Sequence, residues 1–242
     1  MRALLALPFV AILAVALPAD DNLPAGFKEL YKQDFAKPEA ANDFVFSDPA
    51  VWKYGQDKDG RGYLELAYDR KAYKSPYNPK SRSPIHIALL ANKTFTDFVL
   101  DCELQSTTES YGHQSMTLYF GFTEPQKFYY VHIARAADMN AHNVFIVNDA
   151  PRKNFAKETT KGIDWKKDTW HKVRIVRDTG KGTIEVFFED LTKPMMKAES
   201  KTFGAGYIGF GSFDDTGRVR KVRISGPKVE DKKADFFKPL GK

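Results

Sequence analysis

The sequence has little cysteine. Among 242 residues there is one, Cys102, so no intrachain disulfide can form. Cohesion has to come from buried apolar surface, and a chain of this length can build such a core without crosslinks. Cys102 lies in Phe98-Val99-Leu100-Asp101-Cys102-Glu103-Leu104 and shares the parity of Phe98, Leu100 and Leu104. It reads as an inert buried thiol, because a nucleophile would need an accessible, electropositive setting.

Long apolar runs are also scarce. The longest covers residues 4–17 and is too short and too lightly flanked to span a membrane. Met1-Arg2 precedes it, and Ala14-Val15-Ala16 supplies a small-x-small cleavage pattern. Together these predict a secretory signal peptide over residues 1–19, cut after Ala16 or Ala19; an uncleaved anchor is the alternative. The protein is therefore expected to be secreted or periplasmic, without stable membrane insertion after cleavage. No long amphipathic helix, internal repeat, His-x-His or His-Glu-x-x-His cluster is present. A zinc-type site built from His86, His113 and His132 thus lacks its usual close spacing.

The formal charge is +6, which would suit an acidic partner. The basic residues are scattered, however, and most alternate with apolar positions, as in Val173/Arg174/Ile175 and Arg220/Lys221/Val222. That pattern predicts a solvated outer face. With no basic arm or nucleic-acid motif, nucleic acid is not an expected partner.

What the chain does contain is strand signal. Alternating or apolar segments fall at residues 63–68, 85–90, 98–105, 116–122, 129–134, 143–147, 171–177, 183–189, 207–213 and 219–224. Gly-, Asp- and Thr-rich turns separate them. Many short strands with regular turns predict an all-β fold, an antiparallel two-sheet β-sandwich or jelly roll, over residues 20–226. Residues 227–242 read as a charged tail, poorly ordered up to Phe236-Phe237. Two long loops, residues 70–84 and 150–169, are candidate groove walls or plain surface loops.

Residues 113–134 carry the densest chemistry. Alternation puts Met116, Leu118, Phe120 and Phe122 on one face, and His113, Ser115, Thr117 and Tyr119 on the other. The next strand places Phe128, Tyr130 and His132 opposite Tyr129, Val131 and Ile133. A short turn through Pro125 would pair the two as a hairpin. One sheet surface would then hold aromatics, hydroxyls and imidazoles, the composition of a sugar-binding groove or an acid/base site.

The C-terminal half has an ordered pattern. Trp170-His171-Lys172-Val173-Arg174-Ile175 is followed by Gly182-Thr183-Ile184-Glu185-Val186-Phe187-Phe188, then Gly206-Tyr207-Ile208-Gly209-Phe210, then residues 219–224. This order resembles the concanavalin A-like lectin/glucanase superfamily. Within it, the chain looks most like laminin-G-type jelly rolls and the 3-keto-disaccharide hydrolase domain of exported bacterial proteins. The resemblance implies a carbohydrate ligand, but one fold hosts lectins, hydrolases and lyases. The Glu-x-Asp-x-x-Glu strand of the superfamily's glucanases is missing, so retaining hydrolysis by paired carboxylates is not expected. The Arg, Gln, His and Tyr residues that alginate-lyase relatives use are matched here in type but not in spacing.

The first expectation is an exported enzyme that cleaves a glycosidic bond, by hydrolysis or β-elimination, on a 3-keto-glycoside or uronate-type substrate. His113 or His132 would be the base, and Tyr130 or Tyr119 the acid. Arg82 or Arg152 would clamp a carbonyl or carboxylate. His86, Asn143 and Asn148 complete the candidate substrate contacts. The second expectation is a non-catalytic lectin-like module using the same groove. The third is an adhesion or structural domain whose groove is incidental. No cofactor is required by this chemistry. Asp214 and Asp215 are candidate oxygen ligands for a structural calcium ion, as the resemblance implies; a β-turn Asp pair is the alternative. Trp52, Trp165 and His171 read as structural.

Overall fold

A computed structural model describes residues 23–241; the predicted signal peptide lies outside the described residues. The strands are β1 (Lys28–Gln33), β2 (Phe44–Phe46), β3 (Trp52–Gln56), β4 (Gly62–Leu66), β5 (His86–Leu90), β6 (Lys93–Phe95), β7 (Phe98–Ser106), β8 (Ser115–Glu124) and β9 (Lys127–Ala134). They continue with β10 (Asn143–Asn148), β11 (Lys153–Asn154), β12 (Ala156–Thr159), β13 (His171–Asp178), β14 (Thr183–Phe188), β15 (Met196–Glu199), β16 (Tyr207–Ser212), β17 (Gly217–Gly226) and β18 (Val229–Asp231). Two short 3₁₀ turns, Pro38–Asp43 and Pro49–Val51, interrupt the first strands. Among the described residues, no helix is long and apolar enough to cross a membrane.

Two antiparallel sheets face each other in a concanavalin A-like jelly roll. The nine-stranded sheet runs β12-β15-β14-β13-β7-β17-β4-β3, with β1 pairing the second half of β17. The seven-stranded sheet runs β11-β10-β9-β8-β16-β5-β2. The inward parity of each strand supplies the core between them. Leu64, Leu66, Leu100, Cys102, Leu104, Val173, Ile175 and Val186 come from one sheet; Met116, Leu118, Phe120, Val131, Ile133, Ile208 and Phe210 come from the other. Cys102 is buried and free, as its parity predicts, and burial raises its thiol pKa well above the ordinary value.

Outward parity on the nine-stranded sheet carries the charge. Arg174 pairs with Asp101, Arg218 with Glu65, and Arg220 with Glu103 and Asp57. The Arg220 guanidinium lies 4.0 Å from the Trp170 ring and that of Arg218 4.6 Å from Tyr63. This face is a lattice of paired charges, so the basic excess does not concentrate there into a patch.

Bulges correct the simple alternation in two places. Gly121, at φ +54°, inserts an extra residue into β8, and its register with β9 shifts between Phe120 and Glu124. Phe122 is thereby turned to the outer face, against the parity predicted for it. In β17, Lys221 at φ +50° does the same, so that Val219 and Val222 both point inward.

The outer face of the seven-stranded sheet is not bare. It carries a second apolar layer of Val45, Ile87, Leu89, Tyr119, Phe122, Phe128, Tyr130, Phe145, Val147 and Tyr207. The segment after Gly226, expected to be poorly ordered, covers this layer. Its strand β18 pairs with β6, and Ala234 N–H donates to Ala91 O at 2.7 Å. Lys238 and Phe46 exchange backbone hydrogen bonds at 3.1 and 2.7 Å. Phe236 packs on Phe122 and Tyr207, and Phe237 on Phe122 and Tyr77. Apolar residues late in a charged tail have nowhere else to bury their rings, and those two phenylalanines pin the tail down. Short edge strands also occupy the stretch 150–169, where the sequence predicts a loop.

Candidate functional site

The hairpin of β8 and β9 forms as its alternation predicts, with Thr117 opposite His132 and Tyr119 opposite Tyr130. Its outer face is buried, however, where an open groove was expected. Tyr119 and Tyr130 are fully buried, and His132 is 4% exposed. Thr117 Oγ1 donates to Tyr119 Oη at 2.7 Å. Arg152 Nη1 donates to Tyr130 Oη at 2.9 Å. Burial raises both phenol pKa values; at Tyr130 the Arg152 and Arg82 guanidinium groups oppose the rise.

His132 is the anomaly of this face. Among the described residues neither ring nitrogen has a hydrogen-bond partner, although buried polar atoms nearly always find one. The ring stacks on Phe213 (centroids 6.1 Å apart, planes at 18°) and lies 6.0 Å from Phe145. Burial, reinforced by Arg152, His113 and His142, pushes its pKa down to about 3. The Asn140 backbone opposes this slightly but falls short of hydrogen-bond geometry.

The other predicted residues scatter. His113 lies ahead of β8, half exposed, and pairs through Nε2 with Asp138 Oδ2 at 2.6 Å. It does not share the outer face with His132, because regular pairing begins only at Ser115. His86 opens β5 with the parity of Ala88 and Leu90, so it faces the sandwich interior. Its ring lies 4.4 Å from Tyr68, Nδ1 has no partner, and burial lowers its pKa to about 4. Arg82 precedes β5 in an exposed loop and is not on that strand. Asn143 is opposite His132, but its Oδ1 accepts from Ala156 N–H at 3.0 Å and so anchors β12. Asn148 ends β10 at the surface, opposite Lys127. Trp52 and Trp165 are buried, and Trp165 Nε1 donates to Gln114 O at 3.0 Å. His171 is buried between the Trp165 carbonyl and Glu189.

A different set of groups surrounds the turn between β16 and β17. Asp215 is fully buried there. Its Oδ2 accepts from Ser115 N–H (2.8 Å) and Ser115 Oγ (2.9 Å), and its Oδ1 accepts from Tyr111 Oη (2.9 Å). Arg70 Nη2 is 3.0 Å from the same Oδ1. Burial raises the Asp215 pKa to about 6, against the pull of Arg70. The Asp215 side chain thus has protein partners at both oxygens, whereas Asp214 is exposed beside it. Among the described residues, no group of three or more His, Cys, Asp or Glu side chains is arranged to hold a metal.

Asp215 fixes the wall of an open cleft of about 600 Å³ at the end of the sandwich, lined by Tyr68, Arg70, Lys71, Thr108, Glu109 and Asp214 among others. Tyr111 stands beside it, 36% exposed, with the Arg70 guanidinium 4.9 Å from its ring. Arg70 directs Nε to the Asp214 carbonyl and Nη2 to Tyr111 and Asp215, so the cleft gathers its Nη1, several hydroxyls and the Asp214 carboxylate, with the Tyr111 ring at its edge. The alternation rule missed it because Arg70, Tyr111 and Asp214 come from three separate loops. The only sequence signals were the aromatic-rich loop after residue 69 and the Asp pair after a Gly-rich strand.

No family model matches the sequence, and no curated protein matches it. Among solved structures, the chain is similar to the carbohydrate-binding module CBM66 from Bacillus subtilis, at 12% identity and a TM-score of 0.54. That match covers 76% of this chain and 96% of the module. It is also similar to a protein of unknown function with a galectin-like fold from Bacillus subtilis (14% identity, TM-score 0.50, 82% of this chain and 97% of that one). A third is domain 4 of AbnA, an extracellular GH43 arabinanase from Geobacillus stearothermophilus, in complex with arabinotriose. It is 8% identical, with a TM-score of 0.50, over 82% of this chain and 92% of that domain. At these identities the likeness is one of fold.

Proposed function

We propose that the protein binds carbohydrate, and that it does so at the end-of-sandwich cleft. The carrying observation is the exposed Tyr111 ring held beside Arg70 and Asp214. A ring face accepts the apolar face of a sugar, while the Asp214 carboxylate and the one Arg70 nitrogen without a protein acceptor, Nη1, match its hydroxyls. Arg70 and Tyr111 are held by buried Asp215, so little ordering is required on binding. The solved carbohydrate-binding module and the arabinanase domain support the reading by analogy of fold. Export by the predicted signal peptide would place the cleft where extracellular glycans are met, with residues 20–226 and the packed tail acting as one unit.

Glycosidic cleavage, including the 3-keto-glycoside chemistry that the sequence resemblance implies, keeps one observation in its favour. His132 is an imidazole whose two nitrogens have no partner among the described residues. Against it, a base pushed down to about 3 takes protons poorly at neutral pH, and Phe213 covers the ring. Cleavage would require Phe213 to move; binding at the cleft does not.

The test is calorimetric titration with a panel of neutral oligosaccharides, arabinotriose among them, on wild type, Tyr111→Ala and Asp214→Ala. Loss of about tenfold in affinity, roughly 1.4 kcal/mol, in each variant with folding intact is expected. Binding that neither substitution alters would place the ligand elsewhere. Reducing-end release from 3-keto disaccharides, lost in His132→Phe, would move the function to cleavage.

A further inference from the structure

Arg82 and Arg152 come from different loops and are tied together, Arg152 N–H donating to Arg82 O at 3.1 Å. Neither guanidinium meets a carboxylate among the described residues. The acids of the neighbouring loops are engaged elsewhere: Asp215 with Arg70, Asp138 with His113, and Asp149 near Lys127. Arg152 is nevertheless held firmly. One N–H donates to Tyr130 Oη, and its Cζ lies 4.2 Å from the Phe213 ring and 4.9 Å from that of Phe145. A guanidinium has five N–H donors, so most of this fork has no protein acceptor. Arg82 is close enough to act on the same Tyr130 phenol.

Phe213 links this pair to His132, stacking with the imidazole while Arg152 lies over its ring. The polar groups of this corner are therefore one-sided. Arg82 is exposed and Arg152 half-buried, the His132 imidazole is sealed behind Phe213, and among the described residues no carboxylate pairs with either guanidinium. A planar or tetrahedral oxyanion is what such a fork accepts in pairs of N–H bonds.

We propose that Arg82 and Arg152 form a subsite for an acidic sugar, the acid being a carboxylate or a sulfate ester. The proposal rests on the carbohydrate reading above and narrows it to a substrate class. The turn that carries Phe213 on this side carries Asp214 on the cleft side. A neutral sugar in the cleft and an acidic neighbour beyond the turn would thus be read by one loop.

The test uses the full chain with three probes: trigalacturonate, its methyl ester, and a sulfated galactan trisaccharide. Trigalacturonate or the sulfated probe is expected to bind at least tenfold more tightly than the ester, and the better of the two assigns the anion. Arg82→Ala removes an exposed side chain, so it should lower that affinity about tenfold without unfolding the protein. Arg152→Lys keeps the charge but not the fork, and should lose a similar factor. Equal binding of acid and ester, or a preference that survives Arg82→Ala, would overturn the subsite while leaving the carbohydrate reading intact. Failure of every sugar, neutral or acidic, would overturn both.

Discussion

Replacing His132 by Phe should stabilise the protein, and by more at acid pH than at neutral pH. Phenylalanine is a flat ring slightly larger than imidazole with no polar atoms, and the site is already walled by Phe213, Phe145 and Tyr130. The substitution removes two buried nitrogens that have no partner, and such groups cost about 1–3 kcal/mol. A gain of about 1–3 kcal/mol is therefore expected at pH 7. The pH dependence follows from the imidazole pKa, lowered to about 3 by burial from an unfolded value near 6.5. Below pH 6.5 the unfolded chain takes up a proton that the folded chain refuses. Stability is therefore lost as pH falls through this window, by about 2 kcal/mol between pH 6.5 and 5. The His132→Phe variant has no such loss, so its advantage should widen by about 2 kcal/mol at pH 5. Asp215, His86 and His142 titrate alike in both proteins and cancel in the difference. Urea unfolding at the two pH values gives the comparison directly. A destabilised variant at pH 7, or an advantage independent of pH, would refute the reasoning and show that His132 has partners in solution.

Further expectations follow from the same geometry. Wild type should lose stability on acidification beyond the share of His132, because His86 and His142 are buried with pKa values lowered to about 4; thermal melts from pH 7 to 5 should fall steadily. Asp215 works in the opposite sense: with its pKa raised to about 6, its contribution is largest at acid pH and is lost as pH rises through 6. Asp215→Asn should therefore flatten that arm, while weakening the holds on Arg70, Ser115 and Tyr111 by about 2 kcal/mol. A Cβ at Gly211 would collide with the His86 carbonyl oxygen, so Gly211→Ala should cost about 1–3 kcal/mol by denaturant titration. Phe237→Ala uncovers Phe122 and Tyr77, and should raise binding of a hydrophobic dye as well as lower the melting temperature.

Alternation alone located most of the long strands, because each has one face in the core and a one-residue slip would expose it. It put Thr117, Tyr119, Tyr130 and His132 on one face, and the pairing sets Thr117 opposite His132 and Tyr119 opposite Tyr130. It failed at Phe122, where Gly121 adds a residue, and at the short edge strands, whose pairing depends on distant partners. The candidate site was harder to read. Outward-facing Tyr119, Tyr130 and His132 looked like a groove, because nothing local showed that Tyr77, Phe213, Phe236 and Phe237 would cover them. His113 and His86 matched the chemistry but not the face, since each lies at or before a strand end. The cleft at Arg70, Tyr111 and Asp214 depends on three loops meeting around Asp215, a convergence without sequence periodicity.

The most direct measurement is a backbone amide NMR titration of the protein with a neutral oligosaccharide that binds in the panel. The account predicts saturable shifts concentrated at residues 68–71, 107–111 and 213–216, with the strand amides under the tail unmoved. Shifts confined to β8, β9 and the covering tail would contradict it, and would return the binding site to the face that the tail now closes.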